Sequence, residues 1–384
     1  MVHIKFIIGN AGTGKTYTTL KSIESMMRND KSMKVSCLAF THSAVNNMKS
    51  MISKFNENQL KFYTIHKFFQ LPIPFKLIPM NHKVKDKMNV NLIVIDEFSL
   101  IPLDIMRYMI DCFDSIIYNL EIIFIGDILQ LPPIVPETDK IFNYSFFNSK
   151  KNKNKWEIIR QSPFCLEIGY YLSNTIYCDE VYQKSDKLIL THNYRSESNV
   201  MKILNDVFDE EYIPLTDSNF LYSPESKDYV IISSEYSILS NTLIKSNNYS
   251  INGYPTKIGR VKDNKCILNE TIDSNFLNGD IVFITNIISE NEIEITNELN
   301  EKLTISSDKV LPYNYITVHK AQGRGYDNVV LILDSLFEIT MLYTGITRAR
   351  KNIKFIILKF DKNIENNLKK IIHQFKILKK IIYS

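Results

Sequence analysis

The chain has 384 residues, 45% of them hydrophobic and 23% charged, with a net charge of +4. Its length suits two ordinary cores, and its charge is too small for nucleic-acid binding by bulk attraction, so such binding must come from a local groove. Five cysteines (Cys37, Cys112, Cys165, Cys178, Cys266) without a C-x-x-C pair and seven unclustered histidines argue against a disulfide framework and a zinc site.

An apolar strand at residues 4–8 leads into Gly9-Asn10-Ala11-Gly12-Thr13-Gly14-Lys15-Thr16, and a helical segment at 16–27 follows. Glycines let backbone N–H groups turn inward around a triphosphate, Lys15 brings a positive charge to the β/γ oxygens, and the Thr16 hydroxyl can ligand Mg²⁺. The helix N-terminus adds its partial positive charge. The alternative is a glycine-containing surface turn, which the flanking strand and helix disfavour. Only 11 glycines occur in the chain, and three of them sit in this loop. Glycine is kept here where backbone geometry demands it.

Residues 35–40 read as a second strand and 43–55 as a helix with Val45, Met48, Met51 and Ile52 on one face. Residues 71–90, with Pro72, Pro74 and Pro79, read as a surface insertion. A buried-type strand at 92–95 ends at Asp96-Glu97, a helix at 103–113 follows, and a strand at 122–125 ends at Gly126-Asp127-Ile128-Leu129-Gln130-Leu131-Pro132-Pro133. Carboxylates at strand ends suit a ligand crevice. The polar run at 148–155 reads as a loop before a helix at 157–173.

A second α/β series begins near 188–190 and continues through a strand at 230–233 and a helix near 236–245. Short alternating strands at 281–284, 292–296 and 302–305 then suggest a β insertion over about 252–312. The α/β pattern returns at 315–317, 329–333, a helix through Leu342, and 353–358. At the C-terminus Ile364, Leu368, Ile371, Ile372, Phe375 and Leu378 recur at helical spacing, expected to pack on the second domain. No apolar run approaches the ~18 residues of a membrane span and no signal-peptide pattern is seen, giving a cytoplasmic or nuclear expectation with no membrane partner.

In a phosphate-loop protein, adjacent strand-end acids divide the work: Asp96 for Mg²⁺, Glu97 for the attacking water. Gln130 can hydrogen-bond both the γ-phosphate and that water. The order of these motifs resembles a superfamily 1 helicase, and G-D-x-x-Q-L-P-P resembles the RecD, Pif1 and Dda-like branch. Residues 190–196 (LTHNYRS), 315–327 (YITVHKAQGRGYD) and 341–350 (MLYTGITRAR) resemble its motifs IV, V and VI, in the right order.

The resemblance implies an α/β fold of two RecA-like P-loop domains, here 1–185 and 186–384, with a small 1B insertion at about 67–90 and an SH3-like 2B insertion at about 252–312. It implies ATP and Mg²⁺ as cofactors, with Thr16 and Asp96 at the metal. Nucleotide contacts carry over to Gly9, Asn10, Ala11, Gly12, Thr13, Gly14, Lys15, Thr16, Gln130 and Gly323. Arg195 and Arg348 carry over as arginines of the second domain that reach across the cleft to the γ-phosphate. With Lys15, Asp96, Glu97 and Gln130 they form the catalytic set. Thr41, His42, Thr64, His66, Pro133, Thr317 and His319 stand at nucleic-acid-contact positions; Phe62, Phe68 and Phe69 are base-stacking or core residues.

The implied activity is ATP-driven 5′ to 3′ movement on single-stranded DNA and unwinding at duplex junctions, as in DNA repair, recombination and replication, with a monomer sufficing. None of the eight residues before Gly9 is glutamine, whereas the family usually carries an adenine-reading glutamine there, so use of other nucleoside triphosphates is a further expectation. The alternatives are a superfamily 1 RNA helicase of the Upf1-like or viral type and a UvrD-like 3′ to 5′ DNA helicase, whose motif Ia and T-R-A-R ending are similar. A P-loop kinase or non-motor ATPase is the different class, and it leaves Arg195, His319 and Arg348 without a use.

Overall fold

Six short apolar runs of the first part of the chain assemble into one parallel sheet. The computed structural model describes residues 2–52, 56, 58–72, 75–76, 79–80, 82–133, 139–149, 152–235, 238, 264–270, 272–273, 276, 279–289, 291–297, 300–358 and 361–383. They fall into two units: Met1–Arg195 with His373–Ser384, and Ser196–Ile372.

The first unit contains β1 (Val2–Gly9), α1 (Lys15–Asn29), β2 (Val35–Ala39), α2 (His42–Ser50), β3 (Leu60–Thr64), α3 (Ile65–Phe69), α4 (His82–Met88), β4 (Leu92–Asp96), α5 (Leu103–Asp114), β5 (Leu120–Gly126), α6 (Tyr144–Phe147), α7 (Lys153–Arg160), α8 (Cys165–Ser173), α9 (Glu180–Lys184) and β6 (Asp186–Leu190). Sheet order is β3-β2-β4-β5-β1-β6, all parallel. A parallel sheet covered on both faces needs unbroken apolar strands, and β2 and β4 are buried along their whole length. Leu20, Ile23 and Met27 of α1 and Val45 and Met48 of α2 share one core cluster with Val35, Cys37 and Val94. Elsewhere in the sheet Phe6 stacks on Phe124 at 4.9 Å and meets Phe98 edge-on at 5.3 Å. Because every strand runs the same way, Gly9, Ala39, Thr64, Asp96, Gly126 and Leu190 end at one edge.

Several elements differ from expectation. Residues 186–190 form the outer strand of this first sheet, registered from Lys5↔Asp186 to Gly9↔Leu190. The first unit therefore runs on to Arg195. Residues 157–173 are two helices, because Pro163 interrupts the backbone hydrogen bonding. The polar run is helical from Lys153, where Lys155 Nζ donates to the Tyr177 hydroxyl at 2.7 Å. The single tryptophan, Trp156, lies against Phe147 at 4.8 Å and Phe142 at 5.8 Å. In the expected 1B region α4 is tied back by Lys87, whose Nζ donates to the Lys67 and Phe68 carbonyls at 2.6 and 3.1 Å and so satisfies the end of α3. Pro74 lies outside the described residues.

Gly9 closes the approach of β1 to β6: a Cβ there would run into the Leu190 carbonyl oxygen. Gly9→Ala is expected to lower stability by about 1–3 kcal/mol through overpacking against backbone. Urea unfolding measures this; an unchanged midpoint would show that β6 yields freely.

The second unit contains α10 (Ser198–Phe208), β7 (Val230–Ser233), β8 (Lys265–Leu268), β9 (Ile281–Ile287), β10 (Glu292–Thr296), β11 (Lys302–Ser306), β12 (Val310–Pro312), β13 (Tyr315–Thr317), β14 (Tyr326–Ile332) and β15 (Ala349–Ile356). Strands β13-β7-β14-β15 make a parallel sheet, and β11-β10-β9-β8-β12 an antiparallel one. Short helices Val318–Ala321 and Met341–Ile346 follow β13 and precede β15. Apart from Ile238, the helix expected near 236–245 lies outside the described residues, as does the start of the β insertion at 252–263. The C-terminal helix Lys362–Tyr383 joins the first unit from His373 onward, where packing on the second domain was expected. Among the described residues no helix is long and apolar enough to cross a membrane.

Candidate nucleotide site

The loop between β1 and α1 opens onto the common strand-end edge. Gly14 caps α1 with φ 72°, a left-handed conformation that lets the helix begin at Lys15 directly after the turn. Lys15 is 9% exposed, and its Nζ donates to the Gly9 and Asn10 carbonyls at 2.7 and 2.8 Å. Burial pushes its pKa down; Asp127, Glu97 and Asp96 push it back up, and Arg195 lowers it further. One cation thus sits within the field of three carboxylates and a guanidinium.

Thr16 and Asp96 meet directly: Oγ1 donates toward Oδ1 and Oδ2, each 3.0 Å away. Burial, and then the neighbouring Glu97 charge, push the Asp96 carboxyl up to about 7. Such a buried carboxylate paired with a threonine hydroxyl suits a divalent cation. Among the described residues there is no cluster of three or more His, Cys, Asp or Glu side chains that would hold a metal by themselves. Thr16 and Asp96 supply the one or two protein oxygens that Mg²⁺ takes before completing its shell with phosphates and water. Glu97 adopts φ 55°, a costly left-handed conformation for a side-chain-bearing residue, and its N–H donates to Asp96 Oδ1 at 3.0 Å.

Gln130 is 6% exposed, and its Nε2 faces Asp127 Oδ2 at 3.4 Å. Asp127 Oδ1 accepts from Leu129 N at 3.0 Å, so this carboxylate organises the turn as well as facing Lys15. From sequence Asp127 stands as a strand-end carboxylate suited to a ligand crevice, outside the catalytic set.

Arg195 corrects an expectation. It belongs to the first unit, because β6 carries the chain over the phosphate loop. Asn193 Nδ2 donates to the Ala11 carbonyl at 2.9 Å, Tyr194 N to the Gly12 carbonyl at 2.8 Å, and Arg195 N to Asn193 Oδ1 at 2.9 Å. Asn193, which received no role from sequence, is the clamp; Arg195 itself is exposed. Gly323 (φ 76°) and Arg348 lie in the second unit. Arg348 is 1% exposed, donating through Nε to the Thr344 carbonyl, Nη1 to the Arg324 carbonyl and Nη2 to Thr347 Oγ1, at 2.9 to 3.0 Å.

Three threonines expected at nucleic-acid positions share one device. Thr41, Thr64 and Thr317 each end a strand region and cap the next helix, their hydroxyl oxygens accepting from Ala44, Lys67 and Lys320 N–H groups. The hydroxyl hydrogen is left to donate. His42 and His66 follow their threonines closely, half-buried, with burial pushing both pKa values down, so each is a neutral donor or acceptor near pH 7. His319 lies at the surface of its own turn. Pro133 is buried, so it presents no surface for a strand. Phe68 and Phe69 are fully buried and Phe62 packs on the core, as core side chains.

Two family models match, the AAA domain over residues 2–136 and the UvrD-like helicase C-terminal domain over 315–354. The RecBCD enzyme subunit RecD of Buchnera aphidicola subsp. Schizaphis graminum is 24% identical over 438 residues, covering 93% of this chain and 71% of that protein. The ATP-dependent DNA helicase Pif1 of Campylobacter jejuni is 23% identical, covering 96% and 95%. The crystal structure of Bacteroides Pif1 bound to ssDNA shares the fold, with a TM-score of 0.60 at 17% identity over 94% of this chain and 90% of that one.

Proposed function

The chain belongs to the superfamily 1 helicases, in the branch of RecD and Pif1, and from that premise we propose how this ATP-dependent DNA helicase works. It moves 5′ to 3′ along single-stranded DNA, with hydrolysis at the strand-end edge of the first sheet. The observation that carries this reading is the assembly of Lys15, Thr16, Asp96, Glu97, Gln130 and Arg195 at that edge, by direct contact or within one another's field.

Lys15 leaves its loop carbonyls for the β/γ oxygens, and the loop N–H groups cradle the phosphates. Thr16 and Asp96 would hold Mg²⁺, which neutralises phosphate charge when bound. Glu97 orients and polarises the attacking water, Gln130 hydrogen-bonds that water and the γ-phosphate, and Arg195 stabilises charge on the transferring phosphoryl. Phosphates of the strand are contacted by Thr41, His42, Thr64 and His66 of the first unit and by Thr317 and His319 of the second, through hydroxyls and imidazoles that read no sequence.

Duplexes with a single 5′ or 3′ tail test polarity. The 5′-tailed substrate is expected to open with ATP and Mg²⁺ while the 3′-tailed one stays closed; opening of the 3′-tailed duplex alone would place the motor on the opposite track. Turnover should rise with single-stranded DNA. Stimulation by RNA alone would favour the RNA-helicase reading, and none by either would favour a non-motor ATPase.

A further inference from the structure

To bond water and phosphate together, Gln130 must be aimed. Within the first unit its side chain touches Asp127 at 3.4 Å, a long contact, while the turn that carries it has two further supports distant in sequence. The first is Tyr171 on α8. Its hydroxyl donates to the Ile128 carbonyl at 2.7 Å and lies 3.2 Å from the Gln130 carbonyl, spanning the two carbonyls on either side of Leu129. The second is Tyr383, near the end of the C-terminal helix, whose hydroxyl faces Asp127 Oδ1 at 3.4 Å. Asp127 is 1% exposed.

Tyr383 is not a loose end. Phe375, Leu378, Ile381 and Ile382 are buried, His373 Nε2 pairs with Ser162 Oγ at 3.2 Å, and Tyr177 donates to the Ile381 carbonyl at 3.1 Å. These contacts lie within the first unit and fix the helix end beside Asp127.

We propose that Tyr171 and Tyr383 are positioning residues for hydrolysis: Tyr171 fixes the backbone of the Gln130 turn, and Tyr383 fixes the Asp127 carboxylate on which the Gln130 amide rests. The inference rests on the role assigned above to Gln130. Each acts through the turn, by its contacts with the Ile128 and Gln130 carbonyls or with Asp127, and long contacts of this kind tighten in the reacting complex. A side chain that must bond water and phosphate together tolerates only a fraction of an ångström of drift. Loss of one supporting hydrogen bond then appears in turnover rather than in nucleotide affinity.

The test is steady-state ATP hydrolysis with saturating single-stranded DNA for the full chain and for Tyr171→Phe, Tyr383→Phe, Gln130→Ala and the two Phe changes in the Gln130→Ala background. Each Phe change is expected to lower kcat about three- to tenfold, the worth of one ordinary hydrogen bond, with KM for ATP, DNA affinity and the urea midpoint near those of the parent. In the Gln130→Ala background the same changes should cost nothing more, because the group they position is gone. The proposal is overturned if the parent hydrolyses ATP and the Phe variants match its kcat. It is equally overturned if their loss persists in full without Gln130, or if it comes with a matching fall in the urea midpoint. If the parent itself hydrolyses no ATP, the reading of the site fails before this inference is reached.

Discussion

Replacing Lys15 with alanine is expected to reduce ATP turnover by at least roughly 10²- to 10³-fold while single-strand binding survives. The ammonium has no substitute in the loop. It is nearly buried, and burial lowers its pKa against the opposing pull of Asp127, Glu97 and Asp96. Removing it leaves those carboxylates without the ammonium that offsets them, so an incoming triphosphate meets more negative charge. The threonines proposed to contact the nucleic acid stand at the ends of other strands, Thr41 after β2 and Thr64 closing β3, and do not depend on Lys15 for their caps. Phosphate release and fluorescence anisotropy with a labelled oligonucleotide measure the two properties separately. Unchanged turnover in this variant would mean that the phosphate loop has been misassigned.

Arg195→Ala is expected to slow hydrolysis roughly 10³-fold or more, with nucleotide binding largely retained. The side chain is exposed, but its backbone is fastened to the phosphate loop through Asn193 and Tyr194. Its charge is already felt at Lys15. Arg195→Lys should not restore the rate, since an ammonium cannot present the planar fork of donors that a phosphoryl group takes up in its transition state. Single-turnover hydrolysis, with nucleotide binding followed by a fluorescent analogue, separates the two effects. A parallel loss of binding and rate would make Arg195 a binding residue.

The residues that the strand-end edge brings together were legible because each follows its strand without delay. Lys15, Asp96 and Gln130 sit in unbroken local patterns, an apolar run and then a polar strand end, and a parallel sheet brings such ends to one edge whatever the strand order. Residues 186–190 were legible as a strand but not as a member of this sheet. A run such as Asp-Lys-Leu-Ile-Leu carries no label for its partner, and only the pairing with β1 shows that Arg195 rides with the phosphate loop. The aromatic triplet Phe62, Phe68 and Phe69 presented the reverse problem, since the same side chain stacks on a base or fills a core, and burial decides for the core. The helix break at Pro163 was readable in principle and was lost in an otherwise helical pattern. The tyrosines behind Gln130 left no local signal, because their partners lie about forty and more than two hundred and fifty residues away.

The placement of Trp156 has a spectroscopic consequence. As the only indole in the chain, wedged against Phe147 and Phe142 in the first unit, it makes intrinsic fluorescence excited at the red edge a reporter of that unit alone. Circular dichroism, by contrast, records both sheets. Denaturation followed by the two signals in parallel would therefore reveal whether the units melt as one cooperative block or in succession, without any label being introduced.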